Sequence, residues 1–145
     1  MTRPVRAPRG SDAAALAELS RQLGYEVGDD EAGERLQAVT ANGDAALLVA
    51  TDDGDRPIGW VHVELKRSLL APLSAQVMGL VVDERFRNDG IGRDLLVAAE
   101  AWAVERGCVA MLVGSRVTRE RAHRFYQREG YEIQKTSYFF HKPLA

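Results

Sequence analysis

The stretch from Gln76 to Val113 limits the fold more than any other part of the chain. Gln76 to Val82 is almost wholly apolar, as expected of a strand buried in the middle of a sheet. A short polar loop carrying Arg87, Gly90 and Gly92 follows. Ile91, Leu95, Ala98 and Trp102 then recur at helical spacing, and Gly107 closes the element. Val109 to Val113 is a second apolar run and reads as another buried strand. Strand, helix and strand in that order make an α/β unit whose crossover is right-handed by backbone chirality. The remaining segments must join or cover that sheet.

Upstream, Ser11 or Asp12 can cap a helix bearing Ala15, Leu16, Leu19 and Leu23, which Gly24 stops. Asp29 or Asp30 can cap a second, with Ala32, Leu36 and Val39 on one face. Ala45 to Ala50 and Ile58 to Leu65 read as a hairpin joined by the polar turn Thr51 to Arg56. In the second of these strands Trp60, His62 and Glu64 share one face, and Gly59, Val61, Val63 and Leu65 the other. Lys66 to Leu73 reads as a loop or edge segment, since Pro72 opposes a central strand. Downstream, Thr118 to Glu129 predicts a helix with Ala122, Phe125 and Tyr126 at helical spacing and Gly130 just beyond. The tail from Tyr131 to Lys142, rich in aromatic and β-branched residues, reads as the strand that ends the sheet. The expectation for these 145 residues is a single domain over 1–145, a mixed α/β sheet with helices on both faces.

Charge and cysteine content narrow the function. Nineteen Lys and Arg oppose 21 Asp and Glu, a net charge of -2, which does not suit nucleic-acid binding driven by clustered positive charge. The single cysteine, Cys108, allows no intramolecular disulfide and no cysteine metal cluster. His62, His123 and His141 lack ligand spacing, so no metal is expected. Cys108 reads as a small buried hydrophobe, because no activating base can be placed beside it. No apolar run approaches the roughly 18 residues that span a membrane, so a cytoplasmic protein without membrane contact is expected.

The loop between Leu80 and Arg93 carries the chemistry. Glycines allow close approach to the backbone, and the amides of the first helical turn point at whatever occupies the loop. A diphosphate suits those amides and the helix dipole. Arg87, with Arg93 as a second candidate, can add charge-assisted bonds. A tight turn with solvated arginines is the ordinary alternative. The loop lacks the Gly-Lys-Ser/Thr of a Walker motif and the third glycine of the dinucleotide fingerprint.

Arg87-x-x-Gly90-x-Gly92, preceded by Gly79-Leu80-Val81-Val82 and followed by an amphipathic helix, resembles the acyl-CoA-binding signature of the GCN5-related N-acetyltransferase (GNAT) superfamily. Ala122 to Tyr131 is similar to that family's second landmark, an aromatic-bearing helix ended by glycine and an aromatic. The likeness covers about Gly59 to Lys142. It implies a GNAT-like, splayed sheet in which the strand of Met78 to Val82 diverges from that of Val109 to Val113 to admit a pantetheine arm. Backbone at Leu80 and Val82 would pair with the arm as another strand would. Acetyl-CoA is then the implied cosubstrate, held by Leu80, Val81, Val82, Arg87, Asn88, Asp89, Gly90, Ile91, Gly92 and Arg93, with Ser115 as a smaller polar contact. A backbone amide around Leu80 to Val82 would stabilise the developing oxyanion.

The resemblance further implies direct attack on the acetyl group by a primary amine of a small molecule or peptide, with Tyr126 returning a proton to the leaving thiolate. A tyrosine beside Phe125 at core spacing also fits a packed aromatic. Many relatives carry a glutamate base on the central strand; Gln76 and Met78 stand at the comparable positions and neither is a base. His62 and Glu64 on the neighbouring strand are the substitutes, His62 as proton acceptor and Glu64 as base or as binder of a cationic substrate. An exposed sheet face with ordinary polar residues is the alternative. Arg116 stands where relatives often carry asparagine. Glu26, Asp29 and Asp30 can draw a cation to the acceptor side. Such folds can form a homodimer through the C-terminal strand or the N-terminal helices. A non-catalytic acyl-CoA-binding regulatory module is the competing function, favoured by the missing strand glutamate and opposed by Tyr126.

Overall fold

The computed structural model describes residues 4–145, which fall into two compact units, one ending at Val113 and the other running Gly114–Ala145. The first holds a five-stranded sheet in the order β1-β2-β3-β4-β5. Its strands are β1 (Val5–Arg6), β2 (Ala45–Thr51), β3 (Pro57–Lys66), β4 (Ser74–Val82) and β5 (Met111–Val113). Neighbours from β1 to β4 pair antiparallel, while β5 lies parallel to β4. That parallel pair is joined through helix α3 (Ile91–Glu105), the crossover expected from the sequence. Helices α1 (Ala13–Gln22) and α2 (Asp29–Ala41) precede the hairpin.

Strand alternation divides the apolar residues between two faces. On one, Leu16 and Leu19 of α1, Leu36 of α2, Val49 and Val81 form a buried cluster, and Leu47 and Trp60 pack against it. On the other, a Cβ added at Gly59 would lie 3.1 Å from Leu95 and 3.5 Å from Ile91, so α3 covers the opposite face. Ile91, Leu95, Leu96, Ala99 and Ala103 are its buried stripe. Helices therefore flank the sheet on both faces, as predicted.

Several local expectations are corrected. Asp12 does not cap α1 through its side chain. Its carboxylate instead accepts the Arg9 N–H at 2.7 Å and the Arg6 guanidinium at 2.8 and 3.1 Å. The cap position of α2 is Gly28, whose N–H donates to Glu31 at 3.0 Å, so Asp29 and Asp30 fall inside the first turn. Strand β4 is not buried throughout, since Met78 is 54% exposed. Strand β5 is shorter than the apolar run and only half-buried, pairing only with β4 among the described residues. Cys108 is likewise half-buried, in the turn after α3 rather than in the core.

In the second unit, α4 (Glu120–Arg128) lies within the predicted helix. The tail that follows forms no regular secondary structure, against the reading of Tyr131 to Lys142 as a strand. Strand propensity mostly reflects cross-strand packing, so a segment that pairs with no strand gains nothing from it.

Gly79 supports one stability prediction. A Cβ there would sit 2.7 Å from Trp60 Cη2 and 2.8 Å from Cζ3. The indole is held by the α1–α2 cluster and cannot shift without disturbing it. Gly79→Ala is expected to destabilise the protein by about 1–3 kcal/mol, the usual range for overpacking. Urea unfolding should show a lower midpoint at unchanged slope.

Candidate functional site

The register of β3 and β4 decides which backbone groups are available. Trp60 pairs with Val81, Val61 with Leu80 and His62 with Gly79, but Val63 pairs with Val77. Met78 is thus an extra residue, a β-bulge of the kind that re-aims a strand. Beyond it, the Asp83 N–H donates to the Ile58 carbonyl at 2.8 Å. Antiparallel pairs alternate between bonded and non-bonded, so Val82 and Leu80 turn their N–H and C=O groups away from β3. Before the bulge, Ala75 donates towards β5, to the Ala110 carbonyl, at 3.0 Å. Unbroken alternation from Ala75 would send Gly79 and Val81 outward; the bulge shifts the phase to Leu80 and Val82.

Strand β5 pairs with β4 only from Ala75 to Val77. Among the described residues, then, the outward edge at Leu80 and Val82 has no strand partner. Arg87 Nε lies 3.4 Å from the Val82 carbonyl. Val81 is placed differently: its backbone turns to β3, and its side chain is buried against α1 and α2.

The chain then passes through a short turn, Glu84–Phe86, to Asn88 and Gly90. Asn88 at φ 71° and Gly90 at φ 80° both adopt left-handed backbone, which asparagine tolerates and glycine favours. No side chain caps α3, and its first backbone bond runs from the Asp94 N–H to the Gly90 carbonyl at 3.0 Å. The amides of Ile91 and Gly92, in the first turn, consequently have no acceptor within the helix. A Cβ at Gly90 would meet nothing within 4 Å, so the space over the loop is open. Asp89 is exposed there, and anion attraction rests on the amides, the helix dipole and Arg87.

On the α1–α2 face of β3, His62 Nε2 lies 3.6 Å from Glu64 Oε2. Trp60 Nε1 and His62 Nε2 are buried without a hydrogen-bond partner among the described residues. Trp60, His62 and Glu64 are all half-buried, so this is not an ordinary exposed sheet face. Burial pushes the His62 pKa below its usual 6.5, against the opposing charge of Glu64. The imidazole is therefore neutral at neutral pH and able to take a proton.

In the second unit, Tyr126 packs edge-on against Phe125 and Tyr131 at centroid distances of 5.1 and 5.8 Å. Burial raises its pKa above 10, opposed by Arg119, so the phenol stays protonated at neutral pH. Ser115 Oγ is buried without a hydrogen-bond partner among the described residues, while Arg116 is exposed. His123 is half-buried, its Nε2 2.8 Å from the Arg116 carbonyl. Among the described residues, no cluster of three or more His, Cys, Asp or Glu could hold a metal, and no helix is long and apolar enough to cross a membrane.

The structure thus brings Leu80, Val82, Arg87 and Gly90 to Arg93 into one strand-loop-helix segment, and His62 and Glu64 onto the adjoining strand. Gln22 and Asp83, which carry no motif signature, accept the backbone N–H groups of Glu84 and Arg85 in that segment. The family model for the acetyltransferase (GNAT) family matches residues 13–131, a span from the start of α1 to Tyr131. This chain belongs to the GNAT family. A similar protein is the aminoglycoside N(6')-acetyltransferase type 1 of Stenotrophomonas maltophilia, 28% identical over 144 residues, covering 97% of this chain and 93% of that one. Among solved structures, the aminoglycoside 6'-N-acetyltransferase AAC(6')-Ih of Acinetobacter baumannii superposes with a TM-score of 0.85 at 17% identity, covering 98% of this chain and 99% of that one. Aminoglycoside N-acetyltransferase AAC(6')-Iy, solved in complex with CoA, gives a TM-score of 0.87 at 19% identity, covering 97% of this chain and 95% of that one. Both share the GNAT fold.

Proposed function

We propose that residues 1–145 form one acetyltransferase domain that moves the acetyl group of acetyl-CoA to a primary amine of a small molecule or peptide. The observation that carries this reading is the uncapped start of α3, reached directly from a strand edge whose Leu80 and Val82 backbone groups face outward. A diphosphate fits the amides of Ile91 and Gly92 at that helix start together with Arg87. An extended arm bearing amides fits the edge at Leu80 and Val82. Acetyl-CoA combines both and supplies an acyl thioester open to attack by an amine. That a relative of the same fold was solved with CoA supports the choice.

His62 is the proposed base, kept neutral by burial, and Glu64 beside it draws the cationic amine. Tyr126, protonated at neutral pH, supplies the proton that the departing sulfur needs. The name of the Stenotrophomonas maltophilia relative makes aminoglycosides the first acceptors to try. Thiol release from acetyl-CoA should be measured across aminoglycosides, alkyl diamines, amino-acid amines and peptides. Turnover with at least one of them is expected. Acetyl-CoA binding with no turnover on the whole panel would favour the non-catalytic module instead.

The state of His62 predicts a pH profile. With its folded pKa depressed, kcat/KM should rise with pH along an acidic limb whose midpoint lies below 6.5. His62→Gln should remove that limb and lower kcat/KM by about 10²-fold. Stability follows the same sign, because the unfolded chain takes the proton first. Stability is full above pH 6.5 and falls as pH drops from there through the lowered folded value. An unchanged limb in the variant would remove His62 from the mechanism.

A further inference from the structure

Asp83 sits where β4 hands the chain to the cradle loop. Its residue is only 4% exposed, yet it carries a carboxylate. Oδ1 accepts the Arg85 backbone N–H at 3.0 Å and Arg85 Nε at 3.2 Å, and Oδ2 accepts Nη2 at 2.8 Å. Its own N–H is spent on Ile58, and its carbonyl accepts the Phe86 N–H at 2.8 Å. Arg85 is thereby committed to a buried acid, two residues before Arg87. The neighbouring Glu84 N–H is held from elsewhere: Gln22 Oε1 accepts it at 2.9 Å across 62 residues of sequence. The Arg85 side chain is the main cause that holds the Asp83 carboxyl below its usual range, with Gln22 the smallest contributor. Gln22 is the last residue of α1, which is anchored through buried Leu16 and Leu19.

A turn that served only to reverse the chain would not need a buried acid that holds both the backbone and the guanidinium of Arg85. Loop closure is a local matter and needs no tie to a helix far away in sequence. A cradle for an anion does need fixed amides, since unfixed ones must be ordered when the ligand binds. We propose that Gln22, Asp83 and Arg85 form a positioning clasp that pre-sets the cradle loop for the coenzyme. None of the three touches the ligand; they act through the backbone between Val82 and Arg87. The inference rests on the acetyl-CoA reading above.

Gln22→Met and Arg85→Met keep side-chain bulk and remove the polar ties, and neither residue is fully buried. Coenzyme A titrations by calorimetry should show Kd raised roughly three- to tenfold in each, the range expected for one lost hydrogen bond. The double variant should add little beyond the larger single effect, because groups acting as one unit are not additive. KM for acetyl-CoA should rise in parallel while kcat stays within about twofold, a split that simple loss of stability would not produce. Wild-type Kd in both single variants, whatever the melting temperature does, would overturn the clasp, as would a fall confined to kcat. Failure of the wild-type protein to bind coenzyme A would instead overturn the acetyl-CoA reading and this inference with it.

Discussion

Tyr126→Phe is expected to lower kcat by roughly 10²–10⁴-fold, the range typical of a lost general acid, while leaving the Kd for coenzyme A within about twofold. The substitution removes one oxygen and keeps the ring, so the edge contacts with Phe125 and Tyr131 persist. Burial holds the phenol protonated well past neutrality, which is the state a proton donor must have. The loss should grow as pH rises, because solvent acids become scarcer. Steady-state kinetics with calorimetric Kd measurement separates the outcomes. A kcat within threefold of wild type would mean that Tyr126 is a packed aromatic and no more.

Gly90→Val is expected to raise the Kd for coenzyme A by on the order of 100-fold, equivalent to the loss of one or two charge-assisted hydrogen bonds. Gly90 has φ 80°, where a β-branched residue is strained by about 1–3 kcal/mol, and its missing side chain faces open space. The loop must relax or the new side chain must stand where the diphosphate would lie. The fold should survive, because α3 is anchored by Ile91 and Leu95, which are 1% and 0% exposed. Isothermal titration of the variant, with circular dichroism to confirm its folding, is the check. Unimpaired binding by a folded Gly90→Val protein would place the phosphates elsewhere.

The parts legible in the sequence were those set by local rules. Gly90 at the entry to an apolar helical stripe, with Gly92 in its first turn, announces the loop-to-helix junction, and the hairpin and α3 follow from periodicity. The bulge at Met78 was not legible, because it is a property of register between β3 and β4 and methionine carries no bulge signature. That single residue decides which backbone groups face outward. The link from Gln22 to Glu84 spans 62 residues and depends on where α1 docks. The pKa of His62 depends on burial, which strand alternation cannot supply. The tail misled for the opposite reason: its composition suits a strand, but no strand pairs with it. Asp12 had the chemistry of a cap and was taken by Arg6 instead.

The central claim is that the start of α3 and the adjoining edge of β4 hold acetyl-CoA. A crystal structure of the protein with acetyl-CoA bound tests it most directly. Diphosphate oxygens are expected within hydrogen-bond distance of the Ile91 and Gly92 amides, and the pantetheine arm bonded to the backbone of Leu80 and Val82. Phosphates lying away from the segment Arg87 to Arg93 would contradict it.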